Sequence, residues 1–87
     1  MKKITMFTMR SCPYCKQALR WMDELFEECA EYRRLEIEKI DELIHPDIAR
    51  KYNYYYVPAY YVGDEKMHEG ATSYKIIQRI LDAALDR

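Results

Sequence analysis

Two cysteines, Cys12 and Cys15, lie where a short apolar segment gives way to an amphipathic pattern. The segment before them, Ile4 to Thr8, is β-branched and aromatic, which predicts a strand buried in the middle of a sheet. After them, apolar residues recur at steps of three and four, which predicts a helix that packs one face on that sheet. These positions are Cys15, Ala18, Leu19, Met22, Leu25, Phe26 and Cys29. The chain therefore has to pass from a central strand through the cysteines directly into a helix.

The spacing and place of the two cysteines are typical of a redox pair. The first turn of a helix has backbone N–H groups without partners and the positive end of the helix dipole, and both stabilise a thiolate. Pro13 suits the first helical position, and Arg10 and Lys16 add positive charge that favours the thiolate of Cys12. We expect Cys12 at the helix N-cap, facing solvent, and Cys15 one turn further, shielded by the helix. Cys12 is the predicted attacking thiolate and Cys15 the predicted resolving thiol.

Length, charge and cysteine count exclude several classes of protein. A chain of 87 residues builds one modest core, so we predict a single domain over residues 1–87 that needs no structural disulfide. Three cysteines, an odd number, favour a reducing compartment. The sequence shows no signal-peptide pattern and no run near the ~20 apolar residues of a membrane span. A net charge of -1 gives no field that recruits nucleic acid. We expect a cytoplasmic monomer whose partners are proteins and small thiols.

The rest of the chain alternates strand and helix patterns, and the predicted order is βαβαββα. The predicted elements after the first helix are a strand over 33–40 with a thin core face, a short helix over 47–52 opened by Pro46, a strand over 59–62, a hairpin loop over 63–66, a fourth strand near 67–68, and a last helix capped by Thr72 or Ser73. Such alternation is typical of an α/β domain.

Three separated features make the chain resemble the glutaredoxin branch of the thioredoxin superfamily over nearly its whole length. Cys12 to Cys15 resembles the dithiol active site, Val57-Pro58 resembles the end of the segment that carries the family's cis-proline, and Gly70 before a hydroxyl-capped helix resembles the end of its glutathione site. The resemblance implies an α/β thioredoxin-like fold, with a four-stranded mixed sheet flanked by three helices. It also implies that Pro58 is cis and lies beside the cysteines.

The same resemblance implies a thiol–disulfide oxidoreductase that reduces protein disulfides and glutathione mixed disulfides through Cys12 and Cys15. Glutathione is then the expected co-substrate, with no tightly bound cofactor and no metal. The implied binding residues are Arg10, Tyr14, Val57, Pro58, Gly70, Thr72 and Ser73. An extended Val57 would offer its backbone N–H and C=O to an incoming peptide, and the start of the last helix would accept a carboxylate.

Two positions depart from the glutaredoxin pattern. Met9 stands where the family commonly has a lysine, and Glu69 precedes Gly70 where a second glycine is usual. A redoxin on the same scaffold that is reduced by thioredoxin reductase is therefore the alternative.

Other residue patterns leave further alternatives. A zinc or iron–sulfur carrier could complete a site only with Cys29, His45 or His68, none of which has finger spacing, and Cys29 better fits a buried structural thiol. The tyrosines between residues 52 and 61 could stack on bases, but no basic groove accompanies them. We expect Tyr60 or Tyr61 to pack inward and Tyr54 to Tyr56 to rim the site.

Overall fold

The computed structural model describes residues 1–86. They contain a four-stranded mixed sheet. The strands are β1 (Ile4–Thr8), β2 (Ile37–Asp41), β3 (Ala59–Val62) and β4 (Glu65–Glu69), and the helices are α1 (Pro13–Glu28), α2 (Pro46–Ala49) and α3 (Tyr74–Ala84). In the sheet the strands lie in the order β2-β1-β3-β4, with β1 parallel to β2 and antiparallel to β3, and β3 antiparallel to β4. The predicted order of strands and helices is confirmed.

The central strand β1 is buried on both faces of the sheet, as its composition predicts. Because side chains alternate along a strand, Ile4 and Met6 pack in one core with α1 and α3, while Phe7 packs in a second core on the opposite face. All three side chains are 0% exposed. None of the helices within residues 1–86 is long and apolar enough to cross a bilayer.

The bounds of three predicted elements are wrong. The segment Ala30–Arg34 forms a 3₁₀ helix, and β2 begins only at Ile37. Tyr32 fixes this 3₁₀ segment, since its ring is buried and its hydroxyl donates to Asp82 Oδ1 at 2.6 Å. Helix α2 ends at Ala49 and is shorter than expected. The hairpin loop is only two residues long, because β4 already begins at Glu65, paired with Val62.

The last helix is capped by Ser73, which settles the choice between the two predicted hydroxyls. Ser73 Oγ accepts the N–H of Ile76 at 3.2 Å, whereas the buried Oγ1 of Thr72 has no hydrogen-bond partner among residues 1–86. We expect Ser73→Ala to lower the free energy of unfolding by about 1 kcal/mol, because it removes the cap. Urea unfolding measures the change.

Thr72→Val is the matched control for the cap. It removes a buried hydroxyl that makes no hydrogen bond, so the free energy of unfolding should stay the same or rise. A larger loss of stability in Thr72→Val than in Ser73→Ala would contradict the assignment of the cap.

Candidate active site

The cysteine pair lies at the turn that joins β1 to α1. The Cys12 N–H donates to Met9 O at 3.0 Å, which closes the turn, and Pro13 takes the first helical position. Cys12 is the N-cap, with φ −84° and ψ 114°, and its Sγ accepts the backbone N–H of Cys15 at 3.3 Å. A sulfur that accepts this N–H at the positive end of a helix is placed where negative charge is stabilised. The predicted N-cap and helix positions of the two cysteines are confirmed.

Cys12 is more enclosed than the sequence predicts. We expected its sulfur to face solvent, but Cys12 is only 7% exposed and Cys15 2% exposed. The enclosure arises because the chain before Pro58 folds over the helix N-terminus and brings Val57 O to 3.9 Å from Cys12 Sγ. Only a small part of Cys12 is therefore open to solvent.

Cys15 is held as a protonated thiol. Burial first, and then the hydrogen bond with Cys12, raise the pKa of Cys15 to about 12, against the opposing effect of a hydrogen bond with the Met9 backbone. The charge of Glu42 is a smaller influence in the raising direction. At neutral pH the protonated thiol is therefore the dominant form of Cys15.

This protonation state predicts selective labelling of the reduced protein. Because a raised pKa keeps a thiol protonated at every pH below it, Cys15 should not react with iodoacetamide between pH 7 and pH 9, whereas Cys12 should react. Peptide mass mapping of the labelled protein distinguishes Cys12 from Cys15 and Cys29. Labelling of Cys15 at pH 7 as fast as that of Cys12 would contradict this prediction.

The Val57–Pro58 bond is cis, as the resemblance implies. Pro58 is fully buried, and its carbonyl accepts the N–H of Gly70 at 2.9 Å, so the end of β4 is tied to the proline segment. The Val57 N–H forms no hydrogen bond with another of residues 1–86, as expected. Its carbonyl, however, already receives the long contact from Cys12, so an incoming peptide N–H would have to displace that contact.

The tyrosines around the cysteines divide into two groups. We expected Tyr60 or Tyr61 to pack inward. Both are buried in the structure, on opposite faces of the sheet. Tyr54 stacks on Phe7 with ring centroids 4.8 Å apart. The exposed tyrosines are Tyr14, Tyr55 and Tyr56, whose accessible fractions are 60%, 82% and 68%. These three offer amphipathic contact area to a partner.

The predicted glutathione residues are only partly brought together. Val57, Pro58 and Gly70 form one connected unit with Cys12, through the contacts described above. Arg10 is exposed and makes no hydrogen bond or ion pair with the described part of the chain. Ser73 Oγ is used as the helix cap, and no hydrogen bond links Thr72 to the cysteines within residues 1–86.

Two acidic residues have contacts here that the sequence does not predict: Glu42, and Glu69, which the sequence marks only as a departure from the glutaredoxin pattern. Glu42 accepts the Tyr54 hydroxyl at 2.8 Å and acts on Cys15 through its charge. Glu69 binds the chain just before Val57 and is described below. Their roles depend on contacts between distant segments, and no local pattern signals them. No three His, Cys, Asp or Glu side chains within residues 1–86 are grouped so that they could hold a metal ion.

Comparisons with known proteins agree on one family. Residues 2–82 match the family model described as "Thioredoxin domain". A protein named "Probable Thioredoxin" from Methanothermobacter thermautotrophicus is 33% identical over 70 residues, which cover 80% of each chain. One of the same name from Methanothermobacter marburgensis is 37% identical over 57 residues, which cover 66% of this chain and 65% of that protein, slightly under two thirds of its length.

Solved structures show the same fold. "Structure of a malarial protein" superposes with a TM-score of 0.70 at 17% identity, covering 94% of each chain. The oxidised thioredoxin from Plasmodium falciparum gives a TM-score of 0.66 at 20% identity, covering 92% of this chain and 77% of that one. The predicted thioredoxin-like α/β fold is confirmed.

The comparisons support the thioredoxin superfamily, which the sequence predicts. They do not support its glutaredoxin branch in particular, since the named relatives are thioredoxins. The chain belongs to the thioredoxin domain family and is a redox protein of thioredoxin fold with an adjacent cysteine pair.

Proposed function

We propose that the chain is a dithiol–disulfide oxidoreductase that reduces protein disulfides and is itself reduced by a thioredoxin reductase. The observation that carries the proposal is the asymmetry of the pair. Cys12 is the helix N-cap and its Sγ lies 3.9 Å from Val57 O, while Cys15 is buried, with a pKa raised to about 12. The similarity to proteins named thioredoxin supports the choice of reductant.

The reaction proceeds by two thiol–disulfide exchanges. The Cys12 thiolate attacks one sulfur of the substrate disulfide, the substrate S–S bond breaks, and a mixed disulfide forms while one substrate thiolate leaves. Cys15 then gives up its proton and attacks the Cys12 sulfur, which releases the second substrate thiolate and forms the Cys12–Cys15 disulfide. The substrate gains two electrons and the cysteine pair loses two, which the reductase restores.

The substrate's main chain has a place to bind beside Cys12. The Val57 N–H is unpaired among the described residues, and the segment runs past the sulfur, so an extended peptide can pair with it. Recognition through main-chain groups suits many protein substrates of different sequence. We propose protein disulfides as the main substrate class, and the odd cysteine count supports a reducing compartment such as the cytoplasm.

Glutathione as the electron donor is the second candidate. The motif Cys12 to Cys15, which resembles the dithiol glutaredoxin site, and the connected unit of Val57, Pro58 and Gly70 favour it. In that reaction Cys12 takes the glutathionyl group from a mixed disulfide and releases the substrate thiolate. A second glutathione then attacks and leaves as glutathione disulfide, without Cys15.

NADPH consumption distinguishes the two donors. One assay contains thioredoxin reductase with a protein disulfide, and the other contains glutathione, glutathione reductase and a glutathionylated small disulfide. A third assay uses dithiothreitol as the reductant, so that disulfide reduction by the protein is tested without any reductase. We expect turnover with thioredoxin reductase and with dithiothreitol. Turnover only with glutathione would support the second candidate, and no turnover in any assay would contradict both.

A further inference from the structure

Glu69, the last residue of β4, binds the chain segment that precedes the cis-proline. Its Oε2 accepts the backbone N–H of Tyr55 at 2.7 Å and that of Tyr56 at 3.3 Å. Its Oε1 pairs with Lys66 Nζ at 3.0 Å, which leaves the carboxylate fixed from both sides. One side chain thus holds two successive N–H groups of a segment that belongs to no helix or strand.

The segment has few other restraints close to Val57. Further back, Tyr61 donates to Asn53 O at 2.8 Å, and Tyr54 packs on Phe7. The rings of Tyr55 and Tyr56 are exposed and contribute little burial. Val57 itself packs against the cluster around Phe7 and its carbonyl receives the long contact from Cys12, and the backbone on either side of it is held by the Glu69 carboxylate and by the hydrogen bond from Gly70 to Pro58 O.

The carboxylate is present in its charged form. The Tyr55 N–H, the hydrogen bond of Lys66 and the Tyr56 N–H all hold the pKa of Glu69 below its ordinary value. Hydrogen bonds from a neutral donor to a charged acceptor are stronger than those between neutral groups. Glu69 can thus hold the segment although part of its side chain is exposed.

We propose that Glu69 is a positioning residue, which fixes the Tyr55–Tyr56 backbone so that the Val57 N–H is already oriented for the main chain of a disulfide-bearing peptide. This inference rests on the proposed function. A segment that is ordered before binding does not have to lose conformational freedom on binding, which strengthens binding. A small disulfide without a peptide backbone does not pair with Val57 and should depend on Glu69 much less. Glu69 therefore selects for peptide substrates.

The test compares two substrates with each variant. We expect Glu69→Ala to lower kcat/KM for a disulfide-bonded peptide about tenfold relative to kcat/KM for hydroxyethyl disulfide, the scale of one lost charge-assisted hydrogen bond. The change should appear in KM rather than in kcat. Glu69→Gln retains an acceptor oxygen and should restore most of the preference for the peptide. Glu65→Ala, which removes an exposed carboxylate at the other end of β4, should leave the ratio unchanged.

Amide hydrogen exchange tests the geometry without turnover. The N–H groups of Tyr55 and Tyr56 should exchange faster in Glu69→Ala than in the wild type, while core amides of β1 keep their protection. If the wild type reduces no disulfide, the proposed function fails, and this measurement still decides whether Glu69 holds the segment. An unchanged exchange rate at Tyr55 and Tyr56, or an equal fall of kcat/KM for both substrates, would overturn the positioning role.

Discussion

Cys12→Ser should lower disulfide reduction to the uncatalysed rate with every reductant. The attacking sulfur is the atom that forms the mixed disulfide, and a serine hydroxyl at the same N-cap cannot exchange with a disulfide. Removing the nucleophile of a covalent mechanism costs at least about a thousandfold in turnover. NADPH consumption with the protein disulfide and with the glutathionylated disulfide measures the loss.

The fold should tolerate this change, because serine is itself a favoured N-cap residue and can accept the Cys15 N–H that Cys12 accepts now. Equal urea midpoints for Cys12→Ser and the wild type would show that activity is lost for chemical reasons. Cys29→Ser is the matched control, since Cys29 lies at the far end of α1 and should keep full activity. Turnover of either substrate by Cys12→Ser would refute the assignment of the nucleophile.

Cys15→Ser should stop the reaction at the mixed disulfide between Cys12 and the substrate. Cys12 can still attack, but nothing within the protein resolves the mixed disulfide, so the substrate should remain bound to Cys12 through a disulfide bond. We expect reduction of protein disulfides to fall at least about a hundredfold, because the resolving step then depends on an outside thiol. Mass spectrometry of the non-reduced protein should show a stoichiometric adduct on Cys12, which dithiothreitol removes.

The same variant distinguishes the two donors. If glutathione resolves the intermediate, Cys15→Ser should keep its activity towards glutathionylated substrates while it loses activity towards protein disulfides. If the wild type shows no glutathione-dependent turnover, Cys15→Ser should show none either. Failure to trap any adduct, together with full reduction of a protein disulfide, would contradict the role of Cys15 as the resolving thiol.

The predictions from sequence succeeded where the pattern is local. Cys12 to Cys15 follow a β-branched strand and begin an amphipathic helix, so their places at the N-cap and in the first turn depend only on neighbours in sequence. The same holds for the buried strand β1. The prediction of β2 failed at its start, because Arg33 and Arg34 belong to the 3₁₀ segment that Tyr32 anchors on Asp82, a contact between residues 50 positions apart.

Predictions that depended on contacts between distant segments failed or stayed incomplete. The sequence gives no reason for Cys12 to be enclosed, since the covering group, Val57, lies 45 residues away. From the sequence Glu69 is only a departure from the glutaredoxin pattern, whereas in the structure its carboxylate accepts two backbone N–H groups 13 and 14 residues earlier. The raised pKa of Cys15 likewise comes mainly from burial, which exists only after folding.

The sequence by itself determined the order of strands and helices and the places of the two cysteines at the start of α1, because hydrophobic periodicity and helix-terminus chemistry act over a few residues. Tertiary structure alone decided which groups surround the pair: Val57 over Cys12, and Glu69 on the Tyr55–Tyr56 backbone. These choices follow from the sheet, which brings the ends of β1 and β4 and the cis-proline segment to one edge. Periodicity within one segment carries no information about which distant segments lie next to each other in the fold.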